Sequence, residues 1–152
     1  MNAIWKLMQR AWIRLYRLSR GRIGGSFGWM GGPMPVLLLT TTGRRSGKRR
    51  TAVLGYLVDG ECYVVVGSNN GLPTDAAWVT NIRVQPRVTI QVGERVVEAT
   101  GSIAGPDDRA RLWAELMRAA PGYGRYEAMT TREIPLVVLT PEQAAPASAR
   151  TS

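Results

Sequence analysis

Thr51-Ala52-Val53-Leu54-Gly55-Tyr56-Leu57-Val58-Asp59-Gly60-Glu61-Cys62-Tyr63-Val64-Val65-Val66-Gly67 is the stretch on which the fold turns. Two runs rich in β-branched and aromatic residues, Thr51–Val58 and Glu61–Gly67, flank Asp59-Gly60. That dipeptide is a strong hairpin signal, because tight two-residue loops need positive φ at their centre. Upstream, Val36–Thr42 is another short apolar run that ends in threonines. Downstream, Arg87–Val92 and Arg95–Ile103 flank Gly93-Glu94 as a second hairpin, and Ile134–Thr140 is a last strand rich in β-branched residues. Six or so short strands at hairpin spacing predict a small antiparallel barrel in a mainly β chain with helices (α+β). Strands and helices do not alternate regularly, which argues against a doubly wound α/β sheet.

Helical patterns surround the strands. Over residues 2–20, Ile4, Leu7, Met8, Ala11, Leu15 and Leu18 recur at i, i+3, i+4, i+7 spacing, while Lys6, Arg10, Arg14 and Arg17 gather away from them. Trp5, Trp12 and Tyr16 line one flank of this stripe, and Gly21, Gly24 and Gly25 stop the helix. Residues 21–35 read as a mobile Gly- and Pro-rich linker. Further helices are expected over Thr74–Arg83, from Asp107 behind Pro106, and over Tyr123–Met129. The division is therefore a helix at 1–20, a linker at 21–35, a barrel domain at 36–141 and a frayed Ala/Ser/Pro-rich tail at 142–152.

Composition removes several chemistries. With no histidine in 152 residues, a Ser-His-Asp triad and an imidazole metal site are excluded, and no metal ligand set is expected. One cysteine, Cys62, excludes a disulfide framework and fits a reducing cytoplasm; mid-strand among apolar neighbours, it reads as an inert core residue. No apolar run reaches the roughly 18–20 residues that span a bilayer. The net charge of +9 is concentrated: residues 1–58 hold 11 Lys and Arg and no Asp or Glu. Such segments seek an anionic partner or remain solvated.

The densest cluster is Thr40-Thr41-Thr42-Gly43-Arg44-Arg45-Ser46-Gly47-Lys48-Arg49-Arg50. Glycines let backbone N–H groups approach an anion, hydroxyls add donors, and Arg offers a fork for phosphate or carboxylate. It is not a P-loop: three residues separate the glycines instead of four, Arg49 follows Lys48, and a strand follows in place of a helix. A solvated basic hairpin and an anion site both remain open. A nucleic-acid patch is a weaker reading, because no nucleic-acid-binding signature accompanies it.

Leu37-Leu38-Leu39-Thr40-Thr41-Thr42-Gly43-Arg44-Arg45-Ser46-Gly47, then Ser68-x-x-Gly71, Trp78-x-x-Asn81, Pro86, Tyr123-x-x-Tyr126 and Thr131-Arg132-Glu133-Ile134-Pro135 form an ordered series. From about residue 20 to Pro141 this series resembles the deazaflavin-dependent nitroreductases of actinobacteria. The resemblance implies a split β-barrel of the flavin-reductase, FMN-binding-like kind. It implies coenzyme F-420, an 8-hydroxy-5-deazaflavin with a phosphate and an oligoglutamate tail, and hydride transfer from its reduced form to a quinone or nitro compound. Alternatives on the same fold are a non-catalytic F-420 carrier and an FMN-dependent oxidoreductase.

By that family's pattern Thr42, Arg44, Arg45, Ser46, Gly47, Lys48 and Arg50 would face the phosphate and tail. Thr51, Ala52, Val53 and Leu54 would run beside the deazaflavin, Val66, Gly67, Ser68 and Asn69 would meet it from the next strand, and Ala77 and Trp78 would lie close by. Tyr123 and Tyr126 would border the acceptor pocket as catalytic candidates, a phenol there stabilising charge on the acceptor; the other reading of both is helix packing. Asn69 stands where many relatives have Lys, Ala76-Ala77-Trp78 where a Pro-x-Trp stretch is common, and Val79 where an aromatic often follows. For residues 2–20 an anionic membrane surface is the favoured partner, giving a cytoplasmic protein peripheral on the inner face of the cell membrane; covering the barrel or a partner subunit is the other reading. A homodimer is compatible with the fold by analogy alone.

Overall fold

Residues 3–22, 25–27 and 34–142 are described by the computed structural model. In chain order they form α1 (Ala3–Ser19), β1 (Ser26–Phe27), β2 (Met34–Thr42), β3 (Arg49–Asp59), β4 (Cys62–Val66), α2 (Ala77–Val84), β5 (Arg87–Val92), β6 (Arg95–Ile103), α3 (Pro106–Ala119), α4 (Tyr123–Met129) and β7 (Leu136–Pro141). Neighbouring strands pair antiparallel in the order β1-β2-β3-β4-β7-β6-β5, and β5 returns to β2 through Leu38↔Gln91, Leu39↔Ile90 and Thr40↔Thr89. That last pairing closes β2 to β7 into a six-stranded barrel and hides the edges an open sheet would expose.

The period of two in each strand sorts side chains between inside and outside. Leu37, Leu39, Val65, Val88, Ile90, Ala99, Val137 and Leu139 fill the interior, and Ile82 of α2 plugs one end. Gly101 makes room for that plug, since a Cβ there would come 2.9 Å from Ile82. The opposite faces are covered separately. Val64, Val66 and Leu136 pack beneath α3 and α4 with Leu112, Leu116 and Tyr123, and Val36 and Leu38 pack beneath Tyr16, Trp12 and Ile13 of α1. Burial on both faces explains why β2 reads as a continuous apolar run instead of an alternation.

Several expectations need correction. Met34 and Pro35 belong to β2, and Ser26–Phe27 pair with them, so the 21–35 segment is partly strand; its residues 23–24 and 28–33, like tail residues 143–152, lie outside the described residues. α1 is not loosely tethered. Tyr16 is 1% exposed, and its hydroxyl lies 2.9 Å from Val36 O and 3.2 Å from Gln91 O while accepting the Gly93 N–H at 2.8 Å. Tyr16 therefore cannot sit at a membrane interface. Cys62 opens β4, half-buried and 3.5 Å from Thr140 Oγ1, and does not belong to the core. Helix α2 starts at Ala77 rather than Thr74, and β7 at Leu136 rather than Ile134.

Candidate active site

β3 and β4 pair only over Tyr56↔Val65 to Asp59↔Cys62. Continued in register, Leu54 would face Gly67, Val53 would face Ser68 and Ala52 would face Asn69. Instead the Gly67 N–H bonds Pro135 O at 2.9 Å and the chain turns away, while Arg49–Gly55 stay paired with β2 alone. The strands thus splay open, and the peptide groups of β3 on that side have no strand partner. The two lips of the opening are Thr51–Leu54 and Val66–Asn69. Side chains are already committed on the first lip. Leu54 packs against the barrel interior, Val53 lies beneath α1, and Thr51 Oγ1 sits 2.8 Å from Thr40 Oγ1 and accepts Arg17 Nη2 at 3.3 Å. What β3 offers the opening is therefore mostly main chain.

The cationic hairpin lies at the β2–β3 end. The Gly43 N–H donates to Lys48 O and the Gly47 N–H to Gly43 O, each at 2.8 Å, and the Lys48 N–H donates to Ser46 Oγ at 3.2 Å. Gly47 has φ +71°, which favours glycine, and a Cβ on Gly43 would meet Ser46 Oγ at 2.7 Å, so the hydroxyl that accepts the Lys48 N–H would have to shift. Two of the five cations brace the fold. The Arg44 backbone N–H and Nη1 both donate to Asn81 Oδ1, at 3.1 and 3.3 Å; Asn81 is 3% exposed and donates through Nδ2 to Thr41 Oγ1 at 3.1 Å. Arg49 donates to Thr42 Oγ1 at 2.8 Å and Thr89 Oγ1 at 2.6 Å. Arg45, Lys48 and Arg50 are exposed, and no carboxylate among the described residues pairs with any cation of the hairpin.

The second lip continues into a turn at Asn69–Gly71, in which Asn69 and Asn70 take φ 46° and 57°, and Asn69 Nδ2 donates to Thr74 O at 2.9 Å. Arg132 grips this loop: Nε donates to Leu72 O at 2.9 Å, Nη2 to Ser68 O at 2.8 Å, and Nη1 to the Asp75 carboxylate at 2.9 Å. Beyond the loop, Ala77 is exposed in the first turn of α2 and Trp78 is half-buried against the barrel interior. α4 packs on the turn through Met129, which a Cβ on Gly71 would meet at 3.1 Å. Tyr123 and Tyr126 of α4 meet edge to face, ring centroids 6.1 Å apart. Tyr123 is 8% exposed in the α3–α4 core; burial first, and Tyr126 second, push its phenol up to about 12. Burial raises Tyr126 too, against a lowering by Arg125. Both phenols therefore stay neutral donors near pH 7. Two hollows, of about 430 and 470 Å³, are bounded by Arg49, Gln85, Arg87 and Glu98 beside the hairpin and by Leu18, Ser19, Arg20 and Arg22, and neither is bounded by the two lips.

Exposed cations that no carboxylate pairs among the described residues, next to a strand edge that no second described strand takes up, offer an anionic ligand both charge and main-chain groups. Comparison with known proteins agrees. Residues 7–141 match the family model described as F420H(2)-dependent quinone reductase. The chain belongs to this family. The F420H(2)-dependent quinone reductase Rv1261c of Mycobacterium tuberculosis is 39% identical over 129 residues, 83% of this chain and 85% of that one. A solved F420-H2 dependent reductase, FDR-A, superposes with a TM-score of 0.64 at 32% identity, over 69% of this chain and 93% of that one. Another solved structure, described as a domain-swapped dimer, gives 0.65 at 29% identity, over 86% of this chain and 98% of that one. As a quinone reductase family member the protein is an oxidoreductase of the split-barrel fold, and its cofactor is coenzyme F-420. Asn81 and Arg132 stand within the motifs that resemble this family, and the sequence alone assigns neither a task. The signal for Asn81 was a polar residue on the inward side of a short helix. Nothing local marked Arg132, Asp75 or the bracing role of Arg49.

Proposed function

We propose that the protein delivers a hydride from reduced coenzyme F-420 to a quinone or similarly flat electrophile, nitro compounds included, at the opening between β3 and the Gly67–Asn69 segment. The divergence of β3 from β4 after Tyr56↔Val65 supports this most directly, because among the described residues it leaves Thr51–Leu54 with no second strand partner opposite Val66–Asn69. When bound, the reduced deazaflavin supplies the hydride. The protein supplies position and field. Arg45, Lys48 and Arg50, with Ser46 and Thr42, hold the phosphate and carboxylates; Arg44 and Gly47 keep the hairpin in the shape that presents them. Ala77 and Trp78 border the ring. Tyr126 and Tyr123, neutral at working pH, donate to the acceptor oxygen as negative charge grows there. Titrating the protein with F-420, its ring portion lacking phosphate and glutamates, and FMN tests this. F-420 is expected to bind tightest and to weaken with salt. Equal binding of FMN would assign the site to a flavin. Tight F-420 binding with no oxidation by any quinone would make the protein a carrier.

The surface of α1 supports a second element of the function, attachment to an anionic membrane. No helix among the described residues is long and apolar enough to cross a membrane. With Trp12, Ile13 and Tyr16 turned to the barrel, Ile4, Leu7, Met8, Leu15 and Leu18 stay 47–83% exposed, and Lys6, Arg10 and Arg14 lie on a third face. An apolar strip flanked by cations matches an anionic lipid surface. Removing α1 would uncover Val36 and Leu38, so the cleaner variant is Leu7→Glu/Leu18→Glu in the full chain. The unaltered protein is expected to co-sediment with anionic vesicles more than with neutral ones, and the variant with neither. If the variant instead converts a dimer to a monomer, without any vesicle effect, the strip seats a second copy, the kind of assembly described for one structural relative.

A further inference from the structure

We infer that Arg132 is a positioning residue for the ring side of the site, acting through the Gly67–Asp75 loop; this rests on reading the β3–β4 opening as the cofactor site. Arg132 lies between α4 and β7, and its side chain is 15% exposed. Its guanidinium collects Leu72 O, Gly67 O and Ser68 O, at 2.9, 3.3 and 2.8 Å, together with the Asp75 carboxylate at 2.9 Å. A planar fork can serve that many acceptors at fixed angles; the point charge of a lysine cannot. The clamp holds a loop that runs through two successive left-handed residues, Asn69 and Asn70, a conformation asparagine tolerates better than most side chains.

The consequences reach both parts of the site. Peptide planarity makes a carbonyl and the next N–H point in opposite directions. Drawing Gly67 O and Ser68 O toward Arg132 therefore turns the N–H groups of Ser68 and Asn69 away from it. Asp75, 18% exposed, also receives Arg83 Nη1 of α2 at 2.6 Å. One carboxylate thus joins the loop to the helix that carries Ala77, Trp78 and Asn81, and Asn81 in turn holds the cationic hairpin through Arg44. Arg132 and Asp75 keep the second lip at a fixed distance from α2.

A clamp that only stabilised the fold would change melting temperature and nothing else. Arg109 provides the control: it grips Ile134 O at 3.1 and 2.9 Å and lies 4.8 Å over the Trp113 ring, without touching the loop. Affinity for oxidised F-420 and for its ring portion lacking phosphate and glutamates is measured by fluorescence in the full chain, beside thermal melting. Arg132→Lys and Asp75→Asn are expected to weaken both ligands by the same factor, about tenfold. Hydrogen exchange over 68–72 should accelerate in the ligand-free Arg132→Lys protein. Arg109→Gln should melt earlier yet bind both ligands within about twofold of the unaltered protein. The inference is overturned if Arg132→Lys and Asp75→Asn melt earlier but bind normally, or if Arg109→Gln weakens binding equally. Should Arg132→Lys fail to fold, Asp75→Asn, which removes the carboxylate that Arg132 and Arg83 share, still gives the answer. An unaltered protein that binds neither ligand would instead defeat the cofactor reading, before any variant is made.

Discussion

Replacing Arg45 and Lys48 together by alanine separates the two meanings a cationic hairpin can have. Both side chains are exposed and neither pairs with a carboxylate among the described residues, so their removal uncovers nothing buried and breaks no internal ion pair. Stability should change by no more than about 0.5 kcal/mol. Binding should change far more. A charge-assisted bond is worth roughly 1.5–3 kcal/mol, and exposure with salt screening pushes each toward the low end. The double variant should therefore lose about 2–3 kcal/mol, a roughly 30- to 150-fold rise in Kd for F-420. The loss should shrink for cofactor with a shorter glutamate tail and as salt is raised. Arg49→Ala is the counter-case, because that guanidinium ties Thr42 of β2 to Thr89 of β5. It should lower the melting temperature by a few degrees, at about 2–4 °C per kcal/mol for a chain of this size. Fluorescence titration at two ionic strengths and thermal melting read both effects. If the double variant binds F-420 like the unaltered protein, or melts early like Arg49→Ala, the hairpin is a structural or solvated element and the reasoning fails.

Tyr16→Phe should cost about 1–3 kcal/mol, because it leaves the Gly93 N–H and Val36 O without their partner inside the α1 contact, and a thermal melt several degrees lower would show it. Tyr126→Phe should slow oxidation of the bound cofactor while leaving F-420 affinity within about twofold; full activity in stopped-flow would make Tyr126 a packing residue. Tyr123 predicts an alkaline limit. Its phenol is raised from 10 to about 12, so folding holds on to a proton that the unfolded chain releases. Stability is fully present below pH 10 and falls by roughly 2–3 kcal/mol as pH rises to about 12. Denaturant melts at successive pH values should show a smaller fall in Tyr123→Phe than in the unaltered protein, the remainder coming from Tyr16, Tyr56 and Tyr126, which burial also raises.

How far the sequence reached depended on whether a residue's partner was near it in the chain. The Asp59-Gly60 hairpin, β5, β6 and α4 were legible because period and turn chemistry are local. Thr74 and Asp75 looked helical but are held out of α2 by distant partners: Asn69 takes Thr74 O, and Arg83 and Arg132 take the Asp75 carboxylate. Ile134 and Pro135 looked like strand. Their carbonyls are instead claimed by Arg109 and Gly67, so β7 begins only at Leu136. The site divides the same way. The cationic hairpin announced itself by composition. Arg132 did not, because its work is done 57 to 65 residues away, where spacing carries no signal.

α1 shows the limit of pattern most sharply. Its apolar stripe from Ile4 to Leu18 reads in sequence as a membrane face or, alternatively, as the face that covers the barrel, yet the face buried against the barrel is Trp12, Ile13 and Tyr16. Tyr16 decides the rotation, since one hydroxyl serves Val36 O, Gln91 O and the Gly93 N–H, and leucines could satisfy none of those groups. Packing the helix that way leaves the stripe's Ile4, Leu7, Met8, Leu15 and Leu18 exposed. Each would gain roughly 1.5–3 kcal/mol on full burial, and each neighbouring cation about 1 kcal/mol at an anionic surface. The same rotation sends Arg17 to Thr51 Oγ1, on the lip of the β3 opening. The stripe and the Arg17 contact with the lip of the opening are thus two faces of one helix, fixed relative to each other by Tyr16.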